Sequence, residues 1–196
     1  MIIWDSEVQS PEEKSPPFTP SCVAWYNTVT MTSSSEIKIN FYPDFSEFTS
    51  EAANDNVLVG YNVLSFDLPN FEKTDYPPSF AKEKTFDLLW FLSFQVTGTY
   101  YKRPKGLKLH EIGLANLSRG KIELKATPAK LYEAKEYEML EIYVKNDVAL
   151  TKDLFFMMLS YNFLRFLTEQ KYYEDIDCSP ARDWIDNIDA KAIWGW

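Results

Sequence analysis

Residues 1–8 read MIIWDSEV. An apolar run, Ile2-Ile3-Trp4, is closed by two acids, Asp5 and Glu7. Residues two apart in a β-strand point to the same face, so both carboxylates can converge on one ion. Their place in the strand adds to this, because ligands in α/β sheets bind at the carboxyl ends of strands. A solvated strand end carries the same pair of acids, so the rest of the chain has to decide.

Beyond this strand the chain runs through loop into further strands. The stretch Ser10 to Ser21 holds Pro11, Pro16, Pro17 and Pro20 and reads as loop. Cys22–Met31 is rich in β-formers and Glu36–Tyr42 alternates, so the two predict an antiparallel hairpin turning at Ser33-Ser34-Ser35. Asp44, with Glu47 three residues on, predicts a capped helix through Ala53. Asn56–Tyr61 reads as a buried strand ending at a glycine, and Lys84–Phe86 as a strand leading into a helix capped by Asp87. From Leu109 the pattern is mainly helical and ends in a long helix from about Asp147 to Thr168. That helix is apolar almost all round, as a core helix would be. Three strands, a helix, a strand, a helix, another strand and then helices predict a mixed sheet covered by helices, an α/β domain. One domain over 1–175 is expected, with 176–196 as a C-terminal arm packing back on it.

Composition narrows the class. The chain has 196 residues, 45% hydrophobic and 16% aromatic, enough for one well-packed core. No apolar run is long enough to span a bilayer, and Asp5 and Glu7 fall where a signal peptide would be apolar. Cys22 and Cys178 form neither a disulfide framework nor a zinc-like spacing, so a cytoplasmic setting and no membrane association are expected. The net charge of −9 argues against nucleic acid until its distribution is read. Residues 99–130 carry 8 basic against 2 acidic side chains, while the flanking regions are acidic. An acid-rich site beside a basic strip suits a metal nuclease, and a solvated loop of lysines has the same composition.

Two further motifs join the first. In Gly60-Tyr61-Asn62-Val63-Leu64-Ser65-Phe66-Asp67, Gly60 and Asn62 end a buried strand and Asp67 stands at a helix start. Capping alone would explain an aspartate there. In Tyr143-Val144-Lys145-Asn146-Asp147, positions i and i+4 of a helix share a face, so the phenol and the carboxylate can address one site.

The three motifs in this order resemble those of the DEDD exonuclease superfamily in its tyrosine-bearing branch: DxE, an Asn-containing NxxxFD, and YxxxD. GYNVLSFDLPNF is similar to the proofreading domain of family B DNA polymerases. YVKNDVALTKDLF looks like both that group and stand-alone RNase H-like exonucleases found beside helicases. The resemblance spans roughly Met1 to Leu167 and implies an RNase H-like fold with a five-stranded mixed sheet flanked by helices. It implies a 3′→5′ exonuclease acting on single-stranded nucleic acid, DNA favoured over RNA, with two divalent cations, Mg²⁺ or Mn²⁺. In that scheme Asp5, Glu7 and Asp147 hold the ion that activates water. Asp5 bridges both ions, Asp67 acts on the second through water, and Tyr143 orients the attacking water. Asn62 and Phe66 become candidate contacts to the 3′-terminal nucleotide.

The chain departs from the pattern at Val8, where a threonine is common, and at Ser6, where an apolar residue is usual. Lys102, Arg103, Lys105 and Lys108 are candidate phosphate contacts, with Tyr100 or Tyr101 as a stacking face. The sole histidine, His110, reads as solvent-facing, and the histidine-bearing branch would need one where Ile142 stands. A helicase, polymerase or nuclease partner is compatible with the resemblance. So are two other readings, a binding or docking module of this fold and an RNase H-like endonuclease.

Overall fold

A computed structural model describes residues 1–8, 19–37, 45–54, 57–71 and 84–188. Most of the Pro-rich stretch, residues 38–42 of Glu36–Tyr42, Asp44, Asn56 and the end of the expected C-terminal arm lie outside the described residues. The sheet is built from β1 (Ile2–Val8), β2 (Pro20–Asn27), β3 (Thr32–Ile37), β4 (Leu58–Gly60) and β5 (Thr85–Asp87), in the order β3-β2-β1-β4-β5. The pairs β1–β2 and β2–β3 are antiparallel, whereas β1–β4 and β4–β5 are parallel. The mixed five-stranded α/β sheet is the one expected.

Alternation along β1 separates two cores. Ile2 and Trp4 enter an aromatic layer with Trp25 and Val23 of β2. Beneath it lie α1 (Ser46–Asn54) and α2 (Asp67–Phe71), which supply Phe48, Leu68 and Phe71. The Trp4 ring centroid lies 5.1 Å from Phe48 and 5.7 Å from Phe71, the latter edge-on, a favoured aromatic geometry. Ile3 points the other way, into the larger core with Phe86. That core takes in α3 (Leu88–Thr97), α4 (Leu109–Leu117) and α6 (Tyr137–Tyr161), while α5 (Pro128–Glu133) adds Leu131. Ile176 of β7 (Tyr173–Asp177), Cys178 just after it and Ala181 at the start of α7 (Ala181–Asp186) are buried there as well.

Two expectations are corrected. The hairpin turns at Thr28–Met31, not at Ser33–Ser35. Asn27 accepts the N–H groups of Val29 and Thr30 on its side chain, and Met31 takes a φ of 59°. This local turn chemistry outweighs the β-propensity of the valine and threonines. The long helix starts at Tyr137 and stops at Tyr161, and Phe163–Leu167 is strand β6, paired antiparallel with β7. Asn162 ends the helix in left-handed backbone, φ 61°, its N–H bonded to Met158 O at 2.9 Å. Burial then alternates, with Leu164 and Phe166 inward and Arg165 and Leu167 outward. Asn116 of α4 secures the strand by accepting Arg165 N–H at 2.8 Å and donating to Arg165 O at 2.7 Å.

Asn162→Ala is expected to cost about 1 kcal/mol, because left-handed backbone penalises a residue with a Cβ and no local hydrogen bond. Asn162→Gly should be close to neutral, and urea unfolding of the two variants distinguishes them.

Candidate metal centre and cleft

β1 carries Asp5 and Glu7 on the face of Ile3, toward α6, and Ser6 on the opposite face. Pairing of β1 with β4 is confined to Ile2 and Ile3. Beyond it, Asp67 at the start of α2 takes over that edge and accepts Ser6 N–H at 3.1 Å and Ser6 Oγ–H at 2.6 Å. The serine that departs from the usual motif thus ties the first motif to the second. Tyr143 and Asp147 lie inside α6, a turn apart and facing the sheet, with Asp147 wholly buried and Tyr143 half-buried.

One carboxylate oxygen from each of Asp5, Glu7 and Asp147 falls within 4.8 Å of the others. Hard oxygen donors at that spacing could hold one metal ion. Asp67 stands next to this triad, joined to it through Ser6, and is outside the group of three.

The electrostatics are those of acids kept close together and away from water. Burial raises Asp5 and Glu7 well above the usual carboxylate range, and repulsion adds to it, from Asp67 and Asp147 on Asp5 and from Asp5 on Glu7. Burial pushes Asp67 to about 8 despite the hydrogen bond from Ser6. Asp147 is raised by burial against the pull of Lys121. Burial, then Asp147, also raise the Tyr143 phenol.

Lys121 was not singled out by any motif. Its Nζ lies 2.5 Å from Asp147 Oδ2 and 5.1 Å from the centroid of the Tyr143 ring. It comes from the irregular segment between α4 and α5, and only the convergence of distant elements brings it to the cluster.

The second motif is shaped by its turn. A Cβ on Gly60 would collide with the Val63 side chain, and Asn62 has φ 70°. Asp87 braces this turn by accepting N–H bonds from Asn62 at 2.9 Å and Leu64 at 3.0 Å while it caps α3 through Trp90 N–H at 3.2 Å. Burial raises Asp87 to about 6 against those bonds. The expected cap is therefore also a strut beneath Asn62.

Asp5, Glu7, Asp67 and Tyr143 line one cleft of about 650 Å³. Asn62, Phe66, Arg103, Lys105 and Lys108 line it too, whereas Lys102 does not. Tyr100 is taken up in stacking on Trp90 and Phe94, with centroids at 5.7 and 5.0 Å, whereas Tyr101, tilted against Trp90 at 6.4 Å, is 82% exposed. His110, expected to face solvent, is half-buried and lines the cleft. Its ring covers Gly120, where a Cβ would come within 2.5 Å of Nδ1.

No family model matches the chain, and no curated protein matches it. Among solved structures, the family B DNA polymerase from the hyperthermophilic archaeon Pyrobaculum calidifontis is similar, with a TM-score of 0.53 at 18% identity. The match covers 82% of this chain and 24% of the polymerase chain. The fold is RNase H-like. Among the described residues no helix is long and apolar enough to cross a membrane.

A carboxyl held high in the folded chain binds its proton more tightly than in the unfolded chain. Its contribution to stability is complete below the ordinary carboxylate range, about 4, and is lost as pH rises through the folded value, about 8 for Asp67. A divalent cation bound at the cluster would replace those protons. Saturating Mn²⁺ is therefore expected to raise Tm by roughly 5–10 °C at about pH 8 and by much less at about pH 5. Thermal denaturation with Mn²⁺ or EDTA checks this, and a gain independent of pH would contradict it.

Proposed function

We propose that this chain is a metal-dependent 3′→5′ exonuclease acting on single-stranded nucleic acid, with DNA favoured over RNA. The observation that carries the proposal is the convergence of Asp5, Glu7 and Asp147 within 4.8 Å, with Asp67 alongside and Tyr143 on the same cleft. Chance strand ends and helix caps explain each acid alone but give no reason for them to meet. The structural likeness to a family B DNA polymerase supports the reading, because the second motif resembles the proofreading domain of that group.

Asp5, Glu7 and Asp147 would hold one cation, and Asp67 would hold a second through water. Divalent cations bound there would polarise the scissile phosphate and acidify the attacking water. Tyr143, with its phenol raised by burial, keeps its proton at neutral pH and so orients water by a hydrogen bond. Asn62, on its braced turn, and Phe66 would hold the terminal nucleotide. Arg103, Lys105 and Lys108 at the rim would draw in the phosphate backbone, with Lys102 further along, and Tyr101 would give a base a stacking face.

One observation favours the binding-module alternative: the ammonium of Lys121 already compensates part of the acid cluster. Incubating 3′- and 5′-labelled single-stranded DNA and RNA with Mg²⁺, Mn²⁺ or EDTA separates the readings. The expected result is a ladder shortening from the 3′ end, absent with EDTA and in Asp5→Ala/Glu7→Ala. Tyr143→Phe should lose about 10²-fold in kcat with Mn²⁺ affinity unchanged. Internal cuts would favour the endonuclease, and binding without cleavage would favour the module.

The basic strip makes a separate prediction. Replacing Lys102, Arg103, Lys105 and Lys108 with alanine should weaken single-strand binding and flatten its salt dependence. The log–log slope is expected to fall by about 0.7 for each phosphate no longer neutralised. An unchanged slope in a filter-binding titration would remove the strip from the substrate path.

A further inference from the structure

We propose that Lys121 is an internal counter-ion of the carboxylate cluster, its ammonium standing where a divalent cation binds, so that metal uptake is an exchange and not a simple addition. The inference rests on the metal reading of Asp5, Glu7 and Asp147 given above.

Three carboxylates this close repel one another, and need protons, an ammonium or a metal to compensate them. Lys121 meets that need from within the chain. Its Nζ sits 2.5 Å from Oδ2 of Asp147, whose side chain is 0% exposed, while the lysine side chain keeps 32% of its surface in solvent. A lysine is ordinarily an ammonium at neutral pH, so the contact is an ion pair. Asp147 Oδ2 cannot serve the ammonium at that distance and also ligate a cation at about 2.1 Å without bringing two positive centres into conflict. One of them has to leave.

The surroundings let the lysine do so. α4 ends at Ser118 in left-handed backbone, and no helix or strand forms again until Pro128. Gly120 is pinned under the His110 ring, so the backbone keeps its register while the four-carbon lysine stem retains its torsions. The Tyr143 ring, 5.1 Å from Nζ, offers the displaced ammonium a second attractive surface beside the cluster.

Exchange has a thermodynamic signature besides activity. A metal site free of its ammonium about a tenth of the time binds the metal about tenfold more weakly than one always free. Lys121→Met keeps the stem and removes the charge. In calorimetric titration it is expected to bind Mn²⁺ about tenfold more tightly than the wild type, while in EDTA at about pH 7.5 its Tm falls. A variant that folds only when Mn²⁺ is present supports the same conclusion. Lys121→Arg, which keeps the charge, should show no gain in affinity.

The wild-type chain gives a second measurement that does not depend on the Met variant folding. The side-chain NMR signal of Lys121, assigned by its loss in Lys121→Arg, should shift as Mg²⁺ is added. A signal unmoved at saturating Mg²⁺, or Mn²⁺ binding to Lys121→Met no tighter than to the wild type, overturns the counter-ion role and leaves the metal site standing. No Mn²⁺ binding by the wild-type chain would overturn both.

Discussion

Everything at the centre of this molecule depends on β1 serving both faces of the sheet at once. Trp4 completes an aromatic layer over α1 and α2, and the acids on either side of Ser6 face α6. A slip of one residue would exchange the two sets, placing Trp4 against the acids of α6 and two carboxylates in an apolar layer. The antiparallel register with β2 fixes the phase, Trp4 opposite Trp25 and Asp5 opposite Ala24. The small side chain of Ala24 beside Asp5 leaves room on that face for Asp147 to approach. Packing on one side of the strand therefore positions chemistry on the other.

The same arrangement stores an electrostatic cost. Asp5, Glu7, Asp67 and Asp147 are all raised by burial, and the chain answers with local compensation instead of moving them apart. Ser6 gives Asp67 two hydrogen bonds, and Lys121 gives Asp147 an ion pair. Asp87 obeys the same logic in reverse. Its buried carboxylate is surrounded by N–H donors from the Asn62 turn and the first turn of α3, so a buried charge holds a loop in shape. At Asp87 the donors are backbone N–H groups of two elements, and the acid is structural. At Asp147 the compensating group is a side-chain ammonium partly in solvent, which would leave the acid available to a metal.

What the sequence disclosed depends on the range over which each signal acts. The β1 acids, the Asn62–Asp67 turn, the Tyr143–Asp147 pair and the Asp87 cap are short patterns whose period or spacing is fixed by a single element. The two misplaced boundaries were also local, and both turn on asparagine. Asn27 and Asn162 outweighed flanking stretches whose bulk composition pointed to continued strand and continued helix. In Phe163–Leu167 the two-residue alternation was present but lay hidden behind an apolar run that also suits a helix. Lys121 and His110 belong to another category. They reach the cleft because α4, the segment after it and α6 converge, a relation between parts of the chain that no local pattern encodes.

Ser6 is where local and long-range reasoning meet. Judged against the motif it is a departure, a polar side chain where an apolar one is usual. In the fold it lies on the side of β1 that β4 has stopped covering, since pairing there ends at Ile3. An apolar residue at this place would leave one oxygen of a 2% exposed aspartate without its hydroxyl partner, at the end of a helix of only 5 residues. So short a helix has little dipole to offer a charge at its start. The hydroxyl supplies what α2 cannot, and in doing so it links the two acid-bearing motifs directly. Asp67 is thereby positioned by the strand that carries Asp5 and Glu7, and the spacing between these acids is set by one hydrogen-bonded contact and not by the long intervening chain.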